Sequence, residues 1–164
     1  MMPARKTRAT LALDSTGVRY VVHEYSVAEK VGDGYGEAVA AAIGLPADRV
    51  FKTLIVECDG MPVVAVVPVG SRLSTRLLAR AAGRKRAEMA APAAAERLTG
   101  YVAGGISPFA QTRSLDTYVD LSAEDHDTVA VSGGMRGLQL EVSPHDLITA
   151  TGAKVAHLVD DDRR

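Results

Sequence analysis

A lysine inside an apolar segment is the first residue whose type and position could do chemistry. Lys52 lies in the run VFKTLIV (residues 50–56), whose β-branched content predicts a strand. Burying an unpaired ammonium is costly, so this side chain must reach water or a partner. Two interpretations are open: a lysine that protects an edge strand from unwanted pairing, or a fixed positive charge in a cleft, suited to a phosphate or a developing oxyanion.

Two glycine-rich segments could bind a ligand through their backbones. Residues 101–108 read YVAGGISP, in which two adjacent glycines would let N–H groups approach a carbonyl or phosphate oxygen, and Pro108 would stiffen the end of the loop. Residues 132–137 read SGGMRG and lie between two predicted strands, as is typical of a hairpin loop. There Arg136 could contact phosphate. Each segment is also compatible with a plain turn.

A basic stripe follows the apolar segments. Arginines recur every four residues and are followed by two more basic residues: Arg72, Arg76, Arg80, Arg84, Lys85 and Arg86. On one helix face, like charges at this spacing repel mildly, and a polyanionic partner would relieve that repulsion. A merely solvated face is the alternative.

Several other chemistries lack the residues they need. The four histidines (His23, His126, His145 and His157) are scattered, and the chain has neither HExxH nor a paired CxxC, so we expect no metal site. The run GDGYG (residues 32–36) does not match GxGxxG, and there is no Walker A sequence, so we expect no cofactor. Cys58, the single cysteine, lies at a predicted strand end with no evident base.

The elements that must position these residues can be read from periodicity and from stop signals. Helices are predicted over residues 5–14, 36–43, 74–83, 92–100 and 143–152, with Ser74 and Ser143 as N-caps and Gly17, Gly100 and Gly152 as stops. Strands are predicted over residues 19–25, 50–58, 61–69, 114–119, 128–132, 138–142 and 154–159, and Asp59-Gly60 predicts a hairpin turn. Hairpins mixed with helices favour an α+β domain with a mixed sheet.

Length and composition narrow the class of protein. A chain of 164 residues predicts one compact domain, here 1–164 with a core of about 5–159 and a polar tail over 160–164. No stretch approaches the roughly 20 apolar residues that span a bilayer, and the N-terminus lacks the apolar block of a signal peptide. With a single cysteine, these features predict a cytoplasmic location. The net charge of −1 argues against non-specific coating of nucleic acid.

Taken in order, several segments resemble the YbaK/EbsC family of aminoacyl-tRNA deacylases, relatives of the editing domain inserted in bacterial prolyl-tRNA synthetases. The resemblance covers about residues 5–159 and is carried by His23-Glu24-Tyr25, Gly36-Glu37, VFKTL (50–54), AEMA (87–90), TGYVAGGISPF (99–109) and VSGGMRGL (131–138). It implies an α+β fold with a mixed, largely antiparallel sheet flanked by helices. It also favours the functional interpretation of Lys52.

The resemblance implies a function and a set of site residues. It implies cleavage of the ester of mischarged tRNA, most often Cys-tRNA(Pro) or Cys-tRNA(Cys), beside prolyl-tRNA synthetase, and no protein nucleophile: the substrate thiol attacks. The family's essential lysine falls on Lys52. Substrate contacts fall on Tyr25, Thr53, Gly104, Gly105, Ile106, Ser107, Pro108, Gly133, Gly134 and Gln139, and we assign tRNA contacts to Arg76, Arg80 and Arg136. Lys52 would orient the terminal nucleotide or stabilise the oxyanion, and Ser107 could bind the α-amino group.

Two positions depart from the family pattern. Gln139 stands where members often have Asp, and Met135 where many have Lys. The first change removes a negative charge that would hold the substrate ammonium, and the second weakens phosphate contact. Three alternatives stay open: deacylation of Ala- or Ser-tRNA, a non-catalytic module that binds tRNA or a synthetase through the arginine stripe, and a nucleotide-binding domain of another kind.

Overall fold

The computed structural model describes residues 6–27 and 32–160. Within these ranges the chain forms the helices α1 Arg8–Thr16, α2 Tyr35–Ile43, α3 Thr75–Ala81, α4 Pro92–Thr99 and α5 Pro144–Thr151. The strands are β1 Val21–Glu24, β2 Phe51–Cys58, β3 Met61–Pro68, β4 Ala87–Met89, β5 Thr117–Asp120, β6 Val129–Ser132, β7 Leu138–Val142 and β8 Lys154–Ala156. Short 3₁₀ helices span Ala47–Arg49 and Leu121–Asp125.

Local signals in the sequence set the helix boundaries. The Ser74 hydroxyl accepts a hydrogen bond from the Leu77 N–H (3.1 Å), and Ser143 caps α5 in the same way, so both predicted N-caps are confirmed. The predicted stops at Gly17, Gly100 and Gly152 are also confirmed. Helix α1 is displaced from its prediction, and the predicted start at Arg5 lies outside the described residues, as do residues 161–164 of the predicted tail.

The strands form two sheets. One has the order β4-β2-β3-β5-β8, antiparallel in its first two pairs and parallel in its last two. The other, β1-β7-β6, is antiparallel throughout. The turn between β2 and β3 places Asp59 and Gly60 at φ of 51° and 83°, the left-handed pair that two-residue hairpins favour. The α+β prediction and the hairpin are therefore confirmed.

Strand β2 lies between β4 and β3 in the order of the larger sheet, but among the described residues Lys52 itself pairs only with Val67 of β3. Strand β4 pairs with the far end of β2, at residues 56–58, and β3 pairs along its whole length. Near Lys52, Val50 forms an isolated bridge to Ala130, which lies in β6. Strand β4 could not be predicted from the sequence, because three residues with two exposed side chains carry no alternation of apolar and polar positions.

The main core lies between the two sheets. Phe51 and Ile55 of β2 pack in one buried cluster with Val131 and Leu140 of the smaller sheet. A second cluster on the other face of the larger sheet contains Val67 and Leu78. The first residues of β2 therefore lie where the sheets meet, which places Lys52 and Thr53 at the seam.

A polar network ties the smaller sheet to the segment before β2. The Glu141 carboxylate accepts a hydrogen bond from the Arg49 guanidinium (3.1 Å), lies 2.8 Å from His23 Nε2, and accepts a short hydrogen bond from the Thr128 hydroxyl. The Thr128 and His23 contacts, in that order, lower the pKa of Glu141. The network fixes the approach of β2 to β6 and β7. No helix in the described part of the chain is long and apolar enough to cross a membrane.

Candidate functional site

A cavity of about 230 Å³ opens where the two sheets meet beneath α2. Its walls come from the start of β2, the first half of α2, the residue after β3, the 104–106 loop and the ends of β6 and β7. The lining residues are Gly32, Tyr35, Gly36, Val39, Val50, Phe51, Lys52, Thr53, Leu54, Val69, Gly104, Ile106, Ser132 and Gln139. We call this the inner cavity. It brings Lys52, Thr53, Gly104, Ile106 and Gln139 together.

Lys52 also lines a second, more open cavity of about 680 Å³, which we call the outer cavity. The two cavities share Gly32, Gly36, Lys52, Leu54 and Val69, so the lysine lies at their junction. Charged side chains line the outer cavity: Asp33, Glu37, Lys52, Arg72 and Asp160. The inner cavity is lined mostly by apolar groups and glycines.

Burial lowers the pKa of Lys52 from its ordinary value. Glu37 and Asp33 oppose this effect because a nearby carboxylate favours the ammonium, whereas Arg72 adds to it. Side chains of both positive and negative charge therefore lie around the lysine in the outer cavity. The lysine itself is only half-buried and reaches both spaces.

Two buried oxygens of residues that line the inner cavity have no hydrogen-bond partner among the described residues: Thr53 Oγ1 and Gln139 Oε1. Thr53 is 9% exposed and Gln139 is 6% exposed. Buried polar groups in folded proteins are almost always paired. Both oxygens are almost completely inaccessible, so they lie beneath the cavity wall rather than on its surface.

The two glycine loops pack directly against each other. A Cβ on Gly105 would lie 2.7 Å from Met135 Cα and 2.9 Å from the Arg136 nitrogen, so only glycine permits this approach. The Arg136 Nε donates a hydrogen bond to the Ala103 carbonyl (2.9 Å), which crosses the same contact. The contact fixes Gly104 and Ile106 on the cavity wall.

Some residues assigned to substrate contacts lie behind that wall. Ser107 is fully buried, and its Oγ accepts a hydrogen bond from the Phe109 N–H (3.2 Å). Gly133 accepts a hydrogen bond through its carbonyl from the Thr7 hydroxyl (2.5 Å). These two residues, together with Gly105, Pro108 and Gly134, do not line either cavity. They shape the loops that carry Gly104, Ile106 and Ser132.

Tyr35 lines the inner cavity, although the sequence did not indicate it as a site residue. Burial, followed by the neighbouring Tyr25, raises the pKa of Tyr35 to about 12, and Arg136 acts in the opposite direction. The buried Tyr25 hydroxyl faces Tyr35 without forming a hydrogen bond of ordinary geometry. Tyr25 therefore lies close to Tyr35 but does not line the inner cavity. The one signal for Tyr35 was its place directly before Gly36-Glu37.

The residues of the basic stripe lie in three different parts of the structure: before α3, on α3 and after it. Arg76 and Arg80 are exposed on α3, while Arg72 precedes the helix and lines the outer cavity. The helix ends at Ala81, so Arg84, Lys85 and Arg86 follow it in an exposed turn. The stripe is thus an exposed basic surface that begins at the outer cavity.

The lining of the inner cavity limits the chemistry it can do. Its ionisable side chains are Lys52 and Tyr35, and neither a carboxylate nor a histidine lies on its described wall. Among the residues that the structure describes, no cluster of three or more His, Cys, Asp or Glu could hold a metal ion. The arrangement can position a small group and stabilise negative charge beside Lys52.

Comparison with known proteins gives one family. The profile of the aminoacyl-tRNA editing domain matches residues 33–150. EbsC of Enterococcus faecalis, provisionally named a Cys-tRNA(Pro)/Cys-tRNA(Cys) deacylase, is 33% identical over 155 residues, 94% of this chain and 93% of its own. A segment of 72 residues, 44% of this chain, is 38% identical to 12% of a proline–tRNA ligase from Nitratidesulfovibrio vulgaris.

Solved structures share the fold. The crystal structure of the hypothetical protein APE2540 is 28% identical, with a TM-score of 0.81 over 94% of this chain and 100% of that one. A provisionally named trans-editing enzyme for prolyl-tRNA synthetase is 23% identical, with a TM-score of 0.80 over 96% and 99%. The second similarity concerns the fold alone.

Proposed function

This chain belongs to the aminoacyl-tRNA editing domain family, and on that basis we propose that it acts in trans to deacylate Cys-tRNA(Pro) and Cys-tRNA(Cys). The observation that carries the proposal is the place of Lys52 at the junction of a small apolar cavity and a larger charged one. The ester of an aminoacyl-tRNA likewise joins a small aminoacyl group to a larger, polar terminal nucleotide.

In the proposed complex the aminoacyl group occupies the inner cavity and the terminal nucleotide occupies the outer cavity. The volumes of about 230 and 680 Å³ suit these two groups in this order. The ester then lies beside the Lys52 ammonium, which stabilises the negative charge that develops on the carbonyl oxygen. The 104–106 backbone borders the same space and can position the carbonyl.

The proposed chemistry uses the substrate's own nucleophile. In a cysteinyl ester the thiol attacks the carbonyl carbon, the bond to the ribose oxygen breaks, and that oxygen takes up a proton. This route suits an inner cavity whose described lining offers no Ser-His or Cys-His pair. The protein contributes position and charge, since orientation alone can supply a large part of a rate enhancement.

The exposed arginines provide a surface for the rest of the tRNA. Arg76 and Arg80 continue from Arg72 at the outer cavity, so a phosphate backbone leaving that cavity meets positive charge. Arg136, on the 133–137 loop, is exposed and adds a further positive charge. Because the whole chain carries a net charge of −1, we propose that prolyl-tRNA synthetase supplements this local affinity.

The test is deacylation of a panel of charged tRNAs: Cys-, Ala-, Ser- and Pro-tRNA(Pro) with Cys-tRNA(Cys), each with and without prolyl-tRNA synthetase. We expect rapid loss of the Cys esters, absent in Lys52→Ala and retained in the control Lys154→Ala, which removes an exposed lysine of β8. Survival of every ester with the synthetase present would contradict deacylation and favour a tRNA-binding module.

A further inference from the structure

The start of α1 contacts both glycine loops, and neither the proposed chemistry nor the tRNA surface explains these contacts. Thr7 is the N-cap of α1, and its hydroxyl donates a hydrogen bond to the Gly133 carbonyl (2.5 Å). This bond joins α1 to the 133–137 loop. The next residue, Arg8, contacts the segment that contains the 104–106 loop. Two consecutive residues therefore hold two segments that are distant in sequence.

The Arg8 guanidinium joins the two ends of the segment 99–110. Its Nη2 donates hydrogen bonds to the Thr99 carbonyl (2.7 Å) and the Ala110 carbonyl (2.9 Å), and its Nε donates a second bond to Ala110 (3.1 Å). A Cβ on Gly100 would lie 2.7 Å from Arg8 Nη1, so the guanidinium lies directly against the backbone. Because a guanidinium holds its donors in a fixed plane and an ammonium does not, a lysine here would lose part of this set of bonds.

Tyr101 extends the contact from Arg8 to the other glycine loop. Arg8 Cζ lies 4.6 Å from the centre of the Tyr101 ring, a distance at which a positive charge is attracted to the ring face. The ring is buried, and its hydroxyl donates a hydrogen bond to the Phe109 carbonyl (2.6 Å). A Cβ on Gly134 would lie 3.0 Å from Tyr101 Cε1, so the ring also packs against the 133–137 loop. Arg8 thus contacts one loop directly and the other through Tyr101.

Ala110 has a backbone conformation that requires support. Its φ of 55° lies in the left-handed region, which residues other than glycine disfavour. Both Arg8 bonds to this residue go to its carbonyl, so the guanidinium stabilises the conformation. Arg8 itself is exposed, and its replacement opens no part of the buried core. We therefore expect the fold to tolerate a change at Arg8 while the segment 99–110 loosens.

We propose that Thr7 and Arg8, which we call the α1 clamp, are positioning residues that hold the two glycine loops in the arrangement the reaction requires. Both lie outside the described lining of the two cavities, so they act through Gly104 and Ile106, which form part of the wall. The inference rests on the proposed function, since it takes this wall as part of the reaction site. A displacement of about 1 Å at such a site can lower the rate about 100-fold. Loss of the α1 clamp should therefore lower kcat, whereas the tRNA contacts on α3 should remain and KM should change little.

The kinetic test measures deacylation of Cys-tRNA(Pro) by two Arg8 variants. Arg8→Met removes the guanidinium and Arg8→Lys keeps the charge, and we expect both to lower kcat at least about tenfold with KM within about twofold of wild type. The control is Lys6→Met, which removes the same charge from a neighbouring exposed lysine that bonds Asp14 (3.1 Å) and should keep both constants. A wild-type kcat in Arg8→Lys would show that the charge alone matters and would overturn the inference.

Hydrogen exchange tests the α1 clamp without a substrate. We expect amides of residues 99–110 to exchange at least about tenfold faster in Arg8→Met, and those of residues 133–137 to do so in Thr7→Val, while β2 and β3 exchange as in wild type. Thr7→Ser keeps the hydroxyl and should match wild type. Faster exchange throughout the protein would indicate a general loss of stability, and unchanged exchange in both loops would show that the clamp holds neither. Either result would overturn the inference.

The inference and the proposed function fail in different ways. Cleavage by the wild-type protein with an unchanged kcat in Arg8→Met would overturn the inference and leave the proposed function in place. Absence of cleavage by the wild-type protein would contradict the proposed function, and with it the role of the α1 clamp in the reaction. The exchange rates would still show whether the α1 clamp holds the loops.

Discussion

Lys52 occupies a position that disfavours its own charge. Burial lowers its pKa, so between that lowered pKa and 10.5 the unfolded chain binds a proton that the folded chain has released. By linkage, the free energy of unfolding rises with pH across that window, and below it the buried charge is destabilising. A protein keeps such a residue where function requires the charge.

Replacing Lys52 by methionine should therefore stabilise the protein while stopping turnover. We expect Lys52→Met to raise the free energy of unfolding at pH 7 by about 1 kcal/mol and to remove the rise in stability toward alkaline pH. Urea denaturation at several pH values, beside the deacylation assay, measures both. A variant less stable than wild type at neutral pH would show that the lysine is a structural partner instead.

The residues of the site differ in how clearly the sequence indicated them. The sequence indicated Lys52 because a charge inside an apolar strand breaks the local pattern, and in the structure it lies on the cavity lining. Ser107 was assigned to substrate, but it is fully buried and caps a turn. Tyr35 was missed because a tyrosine after glycines has no distinctive pattern, and only the packing of α2 against Val50, Val69 and Ala130 brings it to the cavity.

At the scale of elements, the site depends on close contacts between segments distant in sequence. The 104–106 loop rests on the backbone of the 133–137 loop. Helix α2 approaches the residue after β3 so closely that a Cβ on Gly36 would lie 2.7 Å from Val69 Cβ. Both contacts set the width of the inner cavity.

Adding a methyl group at Gly105 should separate the two loops. We expect Gly105→Ala to lower kcat/KM by at least about tenfold and to cost about 1–3 kcal/mol of stability, because the new Cβ meets backbone atoms rather than a flexible side chain. The control is Gly83→Ala, where φ is +70° and no neighbouring atom lies within 4 Å. It should lose stability through backbone strain yet keep its activity. Unchanged activity in Gly105→Ala would show that the contact between the two loops does not position the site.

At the scale of the whole molecule, the net charge is close to zero although the local charge is not. Nineteen basic and twenty acidic residues nearly cancel, yet five exposed arginines follow one another closely before, on and after α3: Arg72, Arg76, Arg80, Arg84 and Arg86. Affinity for tRNA should therefore depend on a few phosphate contacts. Each contact releases counterions and so contributes to the salt dependence of binding.

Neutralising Arg76 and Arg80 together should weaken binding of tRNA without changing the chemistry. We expect a higher KM, an unchanged kcat, and a slope of log affinity against log salt that is smaller by about two. Titrations of labelled tRNA at several salt concentrations measure this slope. Arg113→Ala, at an exposed position outside the stripe, is the control. A slope equal to that of wild type would indicate that tRNA binds to a different surface of the protein.

The sequence by itself determined the local structure of this protein. Helix caps, glycine stops and the Asp59-Gly60 turn act through neighbouring residues, so they could be read directly, and ordered motifs gave the family. Tertiary structure alone decided that β4 pairs with β2, that β2 is an inner strand, and that Thr53 and Gln139 share a cavity. Those outcomes depend on contacts between residues far apart in the chain, whose energies have no local signature in the sequence.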